Sequence, residues 1–453
     1  MESALVRFRS ADPEALIEEA RRRQRRRRLR SAAVMVAFAA LVLGFAIVRL
    51  LAGGGARIAD ATPTGMFVDR QGFAGHGLLA FVSRGRLFVL DGKTQRLTRV
   101  AAGASAPRFS PDGRWLVYTA GVARTGLARA DGGLAHWLPR GGGASWLPNG
   151  DLLMPNGVFR VAAGGRLVRV GPAPADLVAW SPDGDRYAFD SRAIVRGRNG
   201  AFHGVERLEV ADTLTGARTT WRATRFSFTH DSGFRGAVLG GVWILPHRRG
   251  VLFSVDPDQS NSYAADGLNL YELRAPAATP IKLARALGAT VSIGPGGRLA
   301  IGAGGNRYAW VTKHVVTCSA ATARCTTVTS PQGRLTIDPA WSPDGRTLAF
   351  VDAAARPAGD FRQATIERWY ATHTLRLLHE GRAVDVPGTK GAVSPTWSSS
   401  GRSLLYVADD ALWLIPTLGA KPEKIAGPLF APDAWPSYYG QVGWSAEYAW
   451  ASG

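Results

Sequence analysis

The densest run of oxygen-bearing side chains in the sequence reads DPDQSNSYAADG and runs from Asp256 to Gly267. Asp256, Asp258, Asn261 and Asp266 could offer oxygen ligands to Ca²⁺, which takes six to eight of them. The spacing is not that of an EF-hand, and no Glu follows where a bidentate ligand would be required. Because Asp, Asn and Ser also satisfy the backbone of turns, the pattern favours loop capping, and we expect neither a metal nor a cofactor.

A second candidate for chemistry is the neighbouring pair His230 and Asp231 in the segment FTHDS. Catalytic triads are recognised by geometry and not by adjacency, so the pair alone does not predict catalysis. The sequence also lacks the G-x-S-x-G motif of an α/β-hydrolase domain. We therefore expect no catalytic residues and treat the pair, with the residues of the 256–267 segment, as candidate binding residues.

The two cysteines of the chain, Cys318 and Cys325, lie in VVTCSAATARCTTV, where two β-branched runs flank a short polar segment. This pattern is typical of a β-hairpin. A zinc site would need more ligands, and residues 315–328 contain no His, Asp or Glu. The sequence therefore predicts a disulfide across the hairpin, formed in an oxidising compartment.

A repeated strand-turn-strand segment must position all of these residues. Four copies are clear, namely PRFSPDGRWLVY (107–118), VAWSPDGDRYAF (178–189), PAWSPDGRTLAF (339–350) and PTWSSSGRSLLY (395–406). Pro presets the first corner of the turn, Asp bonds nearby backbone and Gly accepts a positive φ. The predicted turn residues are Asp112, Gly113, Asp183, Gly184, Asp344 and Gly345.

Weaker copies at 144–150, 241–246 and 291–297 extend the series. A half copy at 441–445 supplies a first strand, and residues 77–83 and 86–90 supply later strands, so the two ends should complete one blade and close a ring. The sequence predicts an all-β fold, a β-propeller of four-stranded blades. Eight first strands indicate eight blades, with seven blades as the alternative. The marker residues of these strands are Phe109, Trp146, Trp180, Trp243, Ile293, Trp341, Trp397 and Trp444. The fixed place of these aromatic residues in the repeat indicates packing between blades.

The repeat resembles that of the TolB-like propellers, which share the core W-S-P-D-G-x-x-[LI]-[AV]-[FY], and the resemblance covers residues 77–446. It is limited to the repeat unit, because residues 53–76 are too few for the separate N-terminal domain of TolB. The resemblance implies an extracytoplasmic scaffold for protein or ligand contact, and it does not imply a particular partner.

The N-terminal segment predicts membrane attachment. Residues 21–30 hold eight arginines, and residues 31–48 carry no charge. We predict a basic cytoplasmic segment (1–30), a transmembrane helix (31–52), a linker (53–76) and an extracytoplasmic propeller (77–453). A cleaved signal peptide is the alternative. The arginine block is explained by this orientation signal in preference to nucleic-acid binding, although most of the net charge of +20 lies in the rest of the chain.

The long segments between predicted strands all fall on one face of the ring, which is the candidate binding surface. They are 190–206, 221–237, 256–267, 352–369 and 426–440. We expect a non-catalytic, monomeric scaffold that binds a protein or an envelope glycan or peptide. A sensor that relays contact to a cytoplasmic partner is the alternative, and a lyase or hydrolase is less expected.

Overall fold

Antiparallel strands joined by short turns dominate the part of the chain that the computed structural model describes. That part is residues 65–452 without 121–123, 139–143, 155, 172–177, 182–183, 198–200, 214, 230–232, 247–249, 258–265, 361 and 431–438. The chain divides into two compact units, Met1–Arg57 and Ile58–Gly453, and the first lies outside the described residues. So does the predicted membrane helix over 31–52. Among the described residues no helix is long and apolar enough to cross a bilayer.

The strands, numbered in chain order, form seven sheets within the described residues. The first strand, β1 (Phe67–Val68), has two residues. Four sheets have four strands each. One has the order β33-β2-β3-β4, with β2 (Leu78–Ser83), β3 (Arg86–Asp91), β4 (Arg96–Ala102) and β33 (Tyr448–Ala451). The other three contain consecutive strands, namely β5 (Ser105–Phe109), β6 (Trp115–Ala120), β7 (Arg124–Arg129) and β8 (His136–Trp137); β9 (Ser145–Trp146), β10 (Leu152–Met154), β11 (Gly157–Val161) and β12 (Leu167–Gly171); and β25 (Arg334–Trp341), β26 (Thr347–Ala354), β27 (Thr374–His379) and β28 (Arg382–Asp385).

Three sheets are larger. Two have five strands: β13 (Val178–Trp180), β14 (Arg186–Arg196), β15 (Phe202–Asp212), β16 (Arg218–Thr229) and β17 (Gly233–Gly236); and β29 (Val393–Trp397), β30 (Leu404–Ala408), β31 (Ala411–Ile415) and β32 (Glu423–Gly427), to which β1 adds. The seventh joins β18 (Val238–Ile244), β19 (Val251–Asp256), β20 (Leu268–Leu273), β21 (Ile281–Ile293), β22 (Leu299–Ala303), β23 (His314–Cys318) and β24 (Cys325–Thr327). These antiparallel, mostly four-stranded sheets form the predicted β-propeller.

The two ends of the ring meet in one sheet, as the half copies predicted, but the closing strand differs from the prediction. It is β33, whose register on β2 pairs Phe81 with Tyr448 and Leu78 with Ala451. Residues Trp444–Ala446, predicted to be in the closing strand, form a 3₁₀ turn instead. Trp450, in the C-terminal segment YAWASG, is thus the last marker residue of the repeat. Within the predicted linker, β1 pairs with β32 and Phe73 is fully buried.

The repeat turns are built as the sequence predicted. In the first clear copy the Ser110 hydroxyl donates to Asp112 at 2.5 Å, Asp112 accepts the Arg114 N–H at 3.1 Å, and Gly113 has a φ of 66°. Asp344 and Gly345 repeat this arrangement, with a φ of 67° at the glycine. Gly184 has a φ of 77°, and Asp183 lies outside the described residues. Each turn fixes the register of its strand pair.

The marker tryptophans tie neighbouring sheets together. The indole N–H of Trp146 donates to the carbonyl of Arg108 in the preceding sheet at 2.9 Å, and Trp397 donates to Ala340 in the same way at 2.9 Å. A hydrogen bond from a partly buried indole adds to the apolar packing of its ring. The prediction that these residues pack between blades is confirmed at both positions.

The predicted disulfide is present. Cys318 and Cys325 are directly paired residues of β23 and β24, and their sulfur atoms are bonded at 2.03 Å.

Candidate active site

The residues singled out in the 256–267 segment do not form a cation site among the described residues. Asp256 is buried at the end of β19. Asp266 accepts two hydrogen bonds from the Arg307 guanidinium, at 2.9 and 2.8 Å, and these bonds hold the pKa of Asp266 below its ordinary value. Asp266 therefore anchors the segment that follows β22. Asp258 and Asn261 lie outside the described residues, as do His230 and Asp231. No group of metal-ligating side chains occurs in the described part of the chain.

Three of the segments expected to be loops contain regular structure. The ranges 190–196, 202–206, 221–229 and 233–236 belong to strands β14 to β17. The segment 352–369 begins within β26 and ends in the helix α1 (Gln363–Tyr370). These positions were predicted as loops because polar and glycine-rich stretches interrupt the alternation, whereas cross-strand pairing extends the sheet through them.

Helix α1 contributes to a cavity of about 530 Å³ at the start of the inner strands. Trp369 and Tyr370 of α1 form part of its wall, and Trp444 of the 3₁₀ turn forms another part. The inner strands β25 and β29 supply the polar residues Asp338 and Ser394. A concave, mostly apolar surface with a few polar groups is typical of a small-molecule site.

A repeated β-bulge places these polar residues on the cavity wall. In β25, Asp338 and Pro339 together oppose a single residue of β26, and Asp338 has a φ of 50°. Ser394 and Pro395 repeat the bulge in β29, with a φ of 51° at Ser394. Ala106 of β5 shares the conformation, also with a φ of 51°. Left-handed backbone at residues other than glycine is strained and concentrates at functional sites, and bulges re-aim side chains there.

The carboxyl group of Asp338 is the acid in the cavity wall. Its Oδ2 accepts the backbone N–H of Ser394 at 3.0 Å, the one hydrogen bond it receives within the described part of the chain. The residue as a whole is partly exposed, and it belongs to the cavity lining. Burial raises the pKa of Asp338, and the Ser394 bond only partly opposes this effect. Asp338 is therefore disposed to hold a proton at a pH where an ordinary Asp has lost it.

Two tyrosines are held near this acid. The Tyr448 hydroxyl donates to the carbonyl of Ser394 at 2.7 Å, and the Tyr370 hydroxyl donates to the carbonyl of Gly440 at 2.9 Å. Burial raises the pKa of both phenols, and the negative charge that Asp338 would carry raises them further. Both tyrosines remain neutral, so they add no negative charge beside Asp338.

His373 packs against helix α1. Its ring lies 4.4 Å from the Trp369 ring, measured between centroids, in an edge-to-face arrangement, and the side chain is fully buried. Burial lowers the pKa of His373 to about 3, so this imidazole is neutral. The contact fixes the aromatic wall of the cavity, which makes His373 a positioning residue.

Lys313 also lines the cavity, but its ammonium group is committed to the backbone. It donates to the carbonyls of Gly305, Asn306 and Val311 at 2.7, 2.6 and 3.2 Å. Burial lowers the pKa of Lys313 to about 8. An ammonium with three donors has none left for a ligand in this arrangement, so Lys313 holds the segment after β22 in place.

The sequence analysis missed Asp338, although a signal was present. The clear repeat copies place a small residue before the proline of the first strand, Ala106 in one copy and Ser394 in another, whereas the copy at 339–350 is preceded by Asp338. An acidic residue at a position that a small residue occupies in the other two copies indicates a function specific to this copy. The positive φ that aims it into the cavity cannot be recognised from the sequence.

Comparison with known proteins gives distant structural matches only. No family model matches the sequence, and no curated protein matches it. Among solved structures, acylaminoacyl peptidase from Pyrococcus horikoshii is 11% identical over 79% of this chain, with a TM-score of 0.39. Dipeptidyl peptidase 4 from Porphyromonas gingivalis is 12% identical over 81%, with a TM-score of 0.34. The chain spans about half the length of these peptidases, 54% and 53%.

Oligogalacturonate lyase from Vibrio parahaemolyticus is 10% identical over 82% of this chain and 98% of its own, with a TM-score of 0.37. All three proteins are enzymes by name. These names are contrary to the expectations of a non-catalytic scaffold and of a protein without enzymatic activity. At these identities the similarity concerns the fold, and no substrate or catalytic residue is carried over.

Proposed function

We propose that this protein is an enzyme that uses the carboxyl group of Asp338 as a general acid in the cavity lined by α1, β25 and β29. The observation that carries the proposal is a carboxyl group that a strained bulge presents to a cavity and whose pKa is raised by burial. A carboxylic acid whose pKa is raised keeps its proton to a higher pH than an ordinary Asp and can donate it to a leaving group. Hydrolysis and elimination both require such a step.

The surroundings of Asp338 suit hydrolysis of a small uncharged or ring-shaped group. Trp369, Tyr370 and Trp444 form buried apolar parts of the wall, and the described lining residues include no second carboxyl group. In the hydrolysis we propose, the Asp338 proton passes to the departing oxygen or nitrogen and water adds its hydroxide to the substrate. The remaining proton of that water returns to Asp338, which closes the cycle.

The end of an envelope glycan or peptide fits the cavity in size and is our proposed substrate class. Purified protein would be assayed on nitrophenyl glycosides, nitrophenyl esters and aminoacyl nitroanilides. We expect one class to be hydrolysed, and Asp338→Asn to lower kcat at least about 100-fold. The control is Asp344→Asn in the turn at the other end of β25, which should retain activity. Hydrolysis that is equal in wild type and Asp338→Asn would refute the role of Asp338.

We infer that the ring has eight blades. The support is β21, whose early residues pair with β20 and whose last residues pair with β22, with a register shift between Ala286 and Val291. The seven-stranded sheet then divides at this shift into two four-stranded blades that share one strand. Each of the other six sheets contributes one blade.

We also propose that residues 31–52 anchor the propeller outside the cytoplasm, within the membrane-anchored TolB-like architecture that the repeat suggests. The support is the uncharged run after the arginine block. Protease added to intact spheroplasts should degrade the propeller and spare a tag at residue 1. Protection of the propeller instead would overturn the orientation.

A further inference from the structure

A groove of about 1160 Å³ crosses the turns of three consecutive sheets, from the sheet of β2 to the sheet of β9. Its wall includes residues 91–93, 112–115 and 129–131, together with Gly150 and Ala163. These residues lie in or beside turns that follow the first and third strands of their sheets, whereas α1 follows a second strand. Because strands alternate in direction, the groove and α1 lie on opposite faces of the ring. We call this groove the turn groove.

The turn groove lies where a recurrent contact between neighbouring turns is absent. In three other turns the glycine packs closely against the proline of the turn before it in the ring. These pairs are Gly184 with Pro148, Gly345 with Pro295 and Gly401 with Pro343, in which a Cβ atom added to the glycine would lie 3.3, 3.3 and 3.4 Å from the proline. A Cβ atom added to Gly113 or Gly150 would meet no described residue beyond its chain neighbours within 4 Å. The series of packed turns is therefore open at two adjacent junctions.

Ring closure explains the first of these gaps. The sheet before Gly113 has the order β33-β2-β3-β4, and its first two strands come from distant segments of the chain. No Ser-Pro-Asp-Gly turn joins β33 to β2, so no turn proline covers Gly113. At the second gap Pro111 of the preceding turn is exposed and does not cover Gly150. The closing sheet thus leaves a depression on this face of the ring.

Each of the three long turns in the wall supplies one cation and one carboxylate. The cationic residues are Lys93, Arg114 and Arg129, and the acidic residues are Asp91, Asp112 and Asp131. The formal charges of these six side chains cancel. The turn groove therefore combines strong donors with strong acceptors and has no net charge that would favour an ion of either sign.

The carboxylates are oriented by their own turns. The N–H of Arg114 donates to Oδ1 of Asp112 at 3.1 Å, and the N–H of Gly133 donates to Oδ1 of Asp131 at 2.9 Å. Within the described residues, Oδ2 of neither Asp accepts a hydrogen bond, and Nε of Arg114 lies 3.8 Å from Oδ2 of Asp112. An ionised carboxyl group has about four acceptor positions. Both carboxylates can therefore accept a further hydrogen bond from a ligand.

The cationic side chains are also available to a ligand. The Arg114 side chain is 81% exposed, and its ion pair with Asp112 is too long to be a hydrogen bond. Lys93 and Arg129 are exposed, and neither side chain forms a hydrogen bond or an ion pair with another residue in the described ranges. The groove therefore presents N–H donors and carboxylate acceptors side by side.

We propose that the turn groove binds an uncharged oligosaccharide along its length. A sugar hydroxyl has one donor and two acceptor lone pairs, so it can donate to a carboxylate while it accepts from an ammonium or guanidinium group. An ion would be attracted by one set of side chains and repelled by the other. A chain of sugars fits better than a single ring, because the groove crosses three sheets and has more than twice the 530 Å³ of the cavity beside α1. This binding is independent of the catalytic role of Asp338.

Isothermal titration calorimetry on the full-length chain tests the proposal. The uncharged probes are maltohexaose, cellohexaose and N-acetylchitohexaose, and hexagalacturonate is an anionic probe of the same length. We expect at least one uncharged probe to bind with a Kd below about 1 mM, and hexagalacturonate to bind at least about fivefold more weakly.

Two arginines at the same position of the repeat turn provide a matched pair of variants. Arg114→Ala should weaken binding at least about fivefold, because a hydrogen bond from a charged group is lost. Arg346→Ala should bind as wild type does, because Arg346 follows a turn whose glycine is covered by Pro295.

A further variant fills the groove without removing a polar group. Ala163 is exposed in the turn after β11, so Ala163→Trp should abolish binding. Ala217→Trp, at an exposed position of the equivalent turn after β15, should not. Binding should persist in Asp338→Asn, and its loss there would place the sugar in the cavity beside α1 and overturn the proposal.

Three other results would contradict an uncharged sugar in the turn groove. One is the absence of binding by every uncharged probe at about 10 mM. Another is unchanged binding in Ala163→Trp, which would place the sugar elsewhere. The third is hexagalacturonate binding as tightly as the best uncharged probe, which would assign the groove to an anionic ligand.

Discussion

The backbone N–H of Ser394 donates a hydrogen bond to the carboxyl group of Asp338 at 3.0 Å, and both residues hold left-handed backbone in adjacent inner strands. The bond joins two successive sheets at the cavity wall. It also leaves the other carboxyl oxygen available to a ligand in the cavity. The same bulge in two strands thus supplies both the acid and the group that positions it.

Replacing Asp338 by Asn should increase stability at high pH. Burial raises the pKa of Asp338, so the folded state favours the protonated form, and stability falls as pH rises from about 4 through the raised value. Asn keeps an acceptor for Ser394 and cannot ionise. At pH 8 the free energy of unfolding in urea should exceed that of wild type by about 1 kcal/mol, and at pH 4 the two should agree.

Asp344→Asn is the control with the opposite sign. Hydrogen bonds from the Ser342 hydroxyl and the Arg346 N–H lower the pKa of Asp344, so its contribution is present above about 4 and is lost as pH falls. This variant should be slightly less stable than wild type at pH 8. A gain in both variants would contradict the assignment of Asp338.

Glu447 should make ring closure sensitive to pH. Burial, together with the charge of Asp410, raises the pKa of Glu447 to about 7, and its carbonyl accepts the N–H of Val82 beside the closing strand. Stability should fall as pH rises from about 4.5 to 7, because only the unfolded chain has lost the proton in that range. Glu447→Gln should therefore be more stable at pH 8 by about 1 kcal/mol, since partial exposure screens the effect.

The Glu447→Gln prediction is measured as urea unfolding between pH 4 and 8. Glu380→Gln is the matched control, because the Glu380 side chain is 86% exposed. A pH dependence that is unchanged in Glu447→Gln would show that this residue does not hold the proton.

His373 should limit stability in acid. Its pKa is lowered to about 3 by burial, so the unfolded chain binds a proton below about 6.5 while the folded chain does not. Stability should therefore decline as pH falls from about 6.5 towards 3. His373→Phe should remove most of this decline in the melting temperature, whereas His379→Gln, at a half-exposed position, should retain it. Equal acid sensitivity in both variants would locate the effect elsewhere.

The disulfide should stabilise the hairpin between β23 and β24 modestly, because it closes a short loop. Loop-closure entropy for this separation corresponds to about 2 kcal/mol. The double variant Cys318→Ser with Cys325→Ser should lose about that amount in urea unfolding. Wild type under reducing conditions should match the double variant, and an unchanged stability in both would show that the bond contributes nothing in solution.

The contribution of the indole hydrogen bonds between sheets to the free energy of unfolding can be measured by comparing two tryptophans. Trp397 donates to Ala340 at 2.9 Å, whereas the Trp341 N–H is buried and has no partner within the described residues. Trp397→Phe should cost about 1 kcal/mol more than Trp341→Phe in the free energy of unfolding. Equal losses would show that ring packing alone joins the sheets.

Much of the ring could be predicted from short segments. The Ser-Pro-Asp-Gly turns, the following apolar strands and the disulfide hairpin all depend on neighbouring residues, and each was found where the repeat placed it. The closing strand was displaced to Tyr448–Ala451 because the tryptophan of the segment QVGWS was taken as the last marker in place of Trp450. The full lengths of β14, β15 and β16 were missed because the polar and glycine-containing stretches near their ends were taken as loops.

The sequence alone determined that this chain builds a propeller of antiparallel strand pairs, since turn geometry and side-chain alternation are local properties of the chain. The tertiary structure alone revealed the cavity and its acid. Asp338, Tyr370 and Tyr448 come from three separate segments, and they meet because successive sheets converge towards one another. The raised pKa of Asp338 follows from the protein packed around it, and that surrounding cannot be deduced from the residues next to it.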